Sequence, residues 1–273
     1  MPTARYYSVR ETLILILVVV GFSRVCRATE ADESISCLEE TAKRYQVDVV
    51  FTKTKFPVAT SFGQITGMDA DVRTLNKYAA LFCREFNVYP PSLIERAQLK
   101  RIVLCTELAF AGQRRNAIPD FEHDTLYLEV ERGGHNPDYL RKVIHHEFFH
   151  IIDYRDDGVV YGDERWSALN PAAFKYGSGG INAQETPTTS VLTTDYPGFL
   201  NHYSTTGVEE DKAEVFANLI AAPDEMQMRE KTDPVLADKI RTMKELLGKF
   251  CPDLNDEFWT KSVTELQPSA TKK

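Results

Sequence analysis

The chain has 273 residues, 43% of them hydrophobic and 26% charged, which is enough apolar material for one globular domain, or a two-lobed one, with a sizeable core. Its formal net charge is −8. That sign repels a phosphate backbone, and no run of Lys or Arg offsets it, so no nucleic acid partner is expected.

The chain opens on a basic stretch with Arg5 and Arg10, followed by the apolar run Leu13 to Val20 (LILILVVV). Cys26-Arg27-Ala28 then places small residues at the −3 and −1 positions of a cleavage site after Ala28. Residues 1–28 therefore read as a signal peptide, and the protein as secreted. The run is about ten residues, against roughly 20 for a spanning helix, so no stable membrane insertion is expected. Cleavage would remove Cys26 and leave Cys37, Cys83, Cys105 and Cys251. An even count in an exported chain suggests two disulfide bonds, and the expected pairs are Cys83–Cys105 and Cys37–Cys251. No CxxC occurs, so a cysteine zinc site is not supported. Residues 29–47 are acidic and could form a short pro-segment.

Asp48 to Phe51 reads as a first short strand. Asp71 to Phe86 carries Val72, Leu75, Tyr78, Ala79, Phe82 and Phe86 at helical spacing, and Pro90 and Pro91 end it. Arg101 to Cys105 reads as a buried strand. Thr125 to Val130 alternates apolar and polar residues, as an edge strand with one buried face would. Gly133 and Gly134 break the chain. Asn136 can cap a helix and Pro137 suits its first turn, and that helix runs to Asp156, Asp157 and Gly158. Residues 158–200 are rich in Gly, Pro, Thr, Ser and Asn, and a loop of that length is often functional. Within it, Gly177-Ser178-Gly179-Gly180 reads as a flexible turn, because the lysine of a phosphate loop is missing. Further helices are predicted from Val208 to Ile220, closed by Pro223, and from Asp233-Pro234 onward. A single domain over residues 29–265 and a disordered tail over 266–273 are the expected organisation.

The chemistry concentrates at His146-Glu147-Phe148-Phe149-His150, an HExxH pattern. Residues i and i+4 share one face of a helix, so the two imidazoles can bind one zinc ion. Glu147 then faces the open position, where it can act as general base toward water. Phe148, Phe149, Ile151 and Ile152 predict burial, and buried polar groups need partners. His145 lies about 100° around the helix and reads as structural or as a group behind the ligands.

A catalytic site needs a third protein ligand. Asp156 stands ten residues after His146, but Asp153 occupies the position where a turn-forming glycine would be required. The other candidate is Glu210, on the predicted helix after residue 208. Glu214 lies one turn later, where it can hold the second ring nitrogen of a ligand histidine. The adjacent Glu209 is the fallback ligand.

The string Tyr203…Glu210-x-x-Ala213-Glu214-x-Phe216, set after HExxH, resembles the gluzincin clan of zinc metallopeptidases. It is especially similar to the lethal-factor type of catalytic domain (that of anthrax lethal factor) and to bacterial "putative zinc-binding metallopeptidases". The resemblance implies an α+β, zincin-like fold, with an N-terminal lobe holding a small mixed sheet and the HExxH helix, and a mostly helical C-terminal lobe. It implies that Tyr203 faces the metal and stabilises the developing oxyanion, and that Leu126 to Val130 edges the cleft, where an extended peptide could add a strand. The expected activity is zinc-dependent hydrolysis of peptide bonds in a peptide or protein substrate. The rival readings are a catalytically inactive, secreted binding protein on the same scaffold, and a hydrolase of non-peptide amides.

Overall fold

The computed structural model describes residues 30–159, 161–177 and 189–262. The expected signal peptide, the tail after residue 265 and Ser178 to Gly180 of the glycine turn lie outside these residues. In chain order the elements are α1 (Glu30–Tyr45), β1 (Asp48–Val50), β2 (Val58–Thr60), β3 (Gly63–Asp69), α2 (Val72–Phe86), α3 (Pro91–Arg96), β4 (Arg101–Phe110), β5 (Gln113–Arg114), β6 (Ala117–Asp120) and β7 (Thr125–Glu129). Then come α4 (Pro137–Asp157), α5 (Glu164–Ser167), α6 (Val208–Ala221), α7 (Pro223–Glu230) and α8 (Pro234–Phe250).

The helix boundaries have local causes. Asp71 caps α2 by accepting from the N–H groups of Arg73 and Thr74. Asn136 accepts from the N–H of Tyr139 at 3.1 Å, and Pro137 follows in the first turn of α4. Gly158 closes α4 in the left-handed conformation, φ 76°, which costs least without a Cβ. Asp233 caps α8 through Leu236 N–H at 3.0 Å. Pro223, expected only to close α6, also starts α7.

The sheet is mixed, in the order β2-β3-β4-β7-β6, with β1 and β5 also on β4. Strand β4 runs parallel to β1 and β7 and antiparallel to β3 and β5. One sheet face, with Ile102, Leu104, Leu126 and Leu128, joins the main core against the helices. The other face, with Val103, Cys105, Ile118 and Tyr127, forms a second, smaller cluster with Ile65 and Leu108. The N-terminal part thus carries the sheet and α4, and the part after α4 is helical. Helix α4 packs against α6, α2 and β6. Among the described residues no helix is long and apolar enough to cross a membrane.

Three expectations are corrected. First, β7 is interior: every residue of Thr125–Glu129 is buried, and β6 pairs with it antiparallel on its outer side. The polar residues of that strand are buried because they serve the backbone. Glu129 accepts from the N–H groups of Leu108, Glu131 and Arg132. Second, the disulfide joins Cys37 to Cys83, linking α1 to α2, while Cys105 and Cys251 are free and buried. The period of two explains the failure of the Cys83–Cys105 expectation: Cys105 points to the sheet face away from α2. Third, the stretch 29–47, read as a possible pro-segment, contributes helix α1 to the domain core. Leu38 is fully buried in the main core and Cys37 is covalently tied to α2.

Candidate metal centre

Helix α4 carries His146 and His150 on the face turned toward α6, and α6 brings Glu210 to meet them. His146 Nε2 lies 3.0 Å from Glu210 Oε2 and 3.2 Å from His150 Nε2, and His150 Nε2 lies 3.6 Å from Glu210 Oε2. Among the described residues, this is the group of His, Cys, Asp and Glu atoms close enough to share one ion. The three separations bracket the edge of a tetrahedron with roughly 2.0–2.1 Å bonds, about 3.3 Å. Two imidazoles and a carboxylate are a donor set suited to a zinc ion with one position left open. The residues present therefore fit the metal that the motif implies.

The neighbours favour a cation at this spot. Burial works against charge on His146, but Glu210 and Glu214 outweigh it and raise its proton affinity well above that of an ordinary histidine. Burial likewise opposes ionisation of Glu210, yet hydrogen bonds from His146 and His150 hold its carboxyl well below the usual range. A divalent ion would occupy the place of that shared proton. Burial pushes the Glu147 carboxyl up, and the rings of His146 and His150 pull it back. A carboxylate raised in this way is a better proton acceptor.

Glu214 stands on the far side of His146, with Oε1 3.1 Å from Nδ1. Its other oxygen accepts from Asn201 Nδ2 at 2.7 Å and from Asn218 Nδ2 at 3.3 Å. Tyr203 sits in a 3-10 turn, Tyr203–Thr205, just before α6, and its ring centroid is 5.8 Å from that of His146. His145 points away from the centre. Its Nδ1 meets Tyr89 Oη at 2.7 Å and its Nε2 lies 3.3 Å from Glu85 Oε2, which locks α4 to α2.

The two other candidate ligands are not brought to the centre. Helix α4 continues past His150 to Asp157, so Asp156 is carried along the axis, about 15 Å from His146 at 1.5 Å per residue. Asp153, at the place of the required glycine, is paired with Lys212 of α6 and continues the helix instead. The Glu209 side chain folds back beside Gly207 at the start of α6.

Helix α6 is buried along its length, charges included. An acidic helix start exposed to solvent would look the same in sequence, and packing against α4 decides between them. Asp211 is fully buried and accepts from Trp166 Nε1 at 2.8 Å, Tyr176 Oη at 2.6 Å and Lys239 Nζ at 2.7 Å. Sequence reasoning missed Asn201, Asn218 and this Asp211 cluster. Nothing in the spacing could have found Asn201, whose partner is 13 positions away across a turn. For Asp211 there was a signal: a third acid beside two others on a helix with so many apolar neighbours needs a buried cation.

No family model matches the chain, and no curated protein matches it. Among solved structures, a "putative zinc-binding metallo-peptidase" from Bacteroides caccae is similar, with a TM-score of 0.54 and 18% identity. The match covers 88% of this chain and 94% of that one. At that identity the likeness is one of fold, and the fold is α+β and zincin-like. The finding bears on the bacterial resemblance and not on the lethal-factor one.

Proposed function

We propose that the chain is a secreted, zinc-dependent metallopeptidase that hydrolyses peptide bonds, with His146, His150 and Glu210 as metal ligands. The observation that carries this reading is the convergence of those three ligand atoms beside the half-buried Glu147. A bound zinc ion supplies Lewis acidity, which lowers the pKa of water to about 7 and polarises a carbonyl. Glu147 takes the proton from the attacking water and passes it to the leaving nitrogen. Glu214 holds His146 at Nδ1, so that Nε2 faces the cleft. The Tyr203 hydroxyl donates to the developing oxyanion, and its ring lies near enough to His146 for that role. Export is supported by the Cys37–Cys83 disulfide, which suits an oxidising compartment.

The test is Glu147→Gln beside the wild-type protein on a mixture of peptides. Zinc content should be unchanged, and kcat should fall by about 10²–10⁴. Equal cleavage by both proteins would remove Glu147 from the mechanism. Full zinc content with no cleavage of peptides by the wild type would favour a binding protein on the same scaffold.

A further inference from the structure

The Glu214 carboxylate and the Tyr203 turn come from separate segments, and one side chain joins them. Asn201 has no exposed surface. Its Nδ2 donates to Glu214 Oε2 at 2.7 Å and to Ser190 O at 3.5 Å. Its Oδ1 accepts from Ser204 N–H at 2.8 Å, and Ser204 Oγ donates back to Asn201 O at 2.7 Å. Tyr203 lies inside this closed turn. Its own N–H donates to Thr189 O at 3.0 Å, and its carbonyl accepts from Thr206 N–H and Oγ1. Both backbone groups of Tyr203 are thus bonded, within the turn that Asn201 closes through Ser204.

The segment leading into Asn201 is equally fixed. Arg229 donates to the carbonyls of Phe199 and Leu200, and Lys239 donates to that of Gly198. The primary amide of Asn201 donates to a carboxylate and accepts from a backbone N–H in the same buried place. A carboxylate at residue 201 would oppose Glu214, and an apolar residue would leave the Ser204 N–H without this acceptor.

We infer that Asn201 is a positioning residue, which fixes the Glu214 carboxylate on His146 and the Tyr203 turn relative to each other. This role rests on the metallopeptidase reading. It makes the ligand His146 and the tyrosine one mechanical unit, although they lie on separate elements, α4 and the turn before α6.

The experiment compares the wild type with Asn201→Asp, Glu214→Gln and the double variant carrying both changes. Zinc affinity is measured by competition with a chelator, and kcat and KM on a peptide. Asn201→Asp should weaken zinc binding roughly 10-fold or more and lower kcat with little change in KM. The double variant exchanges donor and acceptor between the two positions and keeps their summed charge. It should bind zinc more tightly than either single variant, which a merely structural role would not produce. Wild-type zinc affinity and kcat in Asn201→Asp, or a double variant no better than the single ones, would overturn the assignment while leaving the metallopeptidase reading intact. A wild-type protein that binds no zinc would overturn both.

Discussion

At the scale of single residues, the buried charges carry the sharpest consequences. Glu85 has no exposed surface and lies 2.9 Å from Arg141 Nε and 3.3 Å from His145 Nε2. Burial alone would raise its pKa, but His145 and then Arg141 hold it down to about 2. A folded-state value below the ordinary 4.5 means that the unfolded chain binds the proton first. The stabilisation from Glu85 is complete above about pH 4.5 and is lost as the pH falls toward 2. Glu85→Gln should therefore lower the melting temperature at pH 7, with the difference from wild type shrinking across that window. An unchanged pH profile would show that Glu85 is not ionised in the folded protein. The residue scale is also where the sequence was most legible. HExxH, Glu210 and Glu214 are read from i,i+4 spacing, because a helix converts sequence distance into a shared face. The partners of those residues were not legible. Asn201 reaches Glu214 through a turn, and Glu85 reaches His145 across 60 positions, where no periodicity operates.

At the scale of elements, the four helices α2, α4, α6 and α8 were legible, whereas α1, α3, α5 and α7 and the strand environment were not. Capping residues are local, so Asp71, Asn136 and Asp233 mark their helices in the sequence itself. Whether a strand lies at an edge depends on what pairs with it. Strand β7 looked half-exposed because Thr125 and Glu129 are polar, yet β6 covers its outer side. The disulfide is a similar case, since the α1–α2 packing that joins Cys37 to Cys83 leaves little trace in spacing. Closing a loop across 46 positions stabilises a fold by about 4 kcal/mol on the loop-entropy account. Reduction should lower the melting temperature accordingly. Alkylation of the unfolded, unreduced protein followed by peptide mapping should modify Cys105 and Cys251 and recover Cys37 and Cys83 as one linked pair. Modification of Cys37 without reduction would contradict the pairing.

At the scale of the whole molecule, one apolar cluster runs from Leu38 in α1 to Phe258 beyond α8, so the sheet and the C-terminal helices stand or fall together. The Asp211–Lys239 pair ties α6 to α8, and Asp211 also holds Trp166 of α5 and Tyr176. Lys239 further lies 3.6 Å over the Phe199 ring. Lys239→Met should cost about 3–5 kcal/mol, because it leaves the Asp211 carboxylate buried without its cation. Chemical denaturation checks this, and a change under about 1 kcal/mol would mean that the pair is dispensable. The fold brings α4 and α6 into one contact, and the proposed chemistry depends on a zinc ion in that contact. The most direct test is therefore zinc per chain, by elemental analysis after dialysis against a weak chelator, for the wild type and Glu210→Ala. One zinc ion per wild-type chain and a large loss in Glu210→Ala is the result predicted. A wild-type chain without zinc, or a Glu210→Ala chain that holds it equally well, would contradict the account.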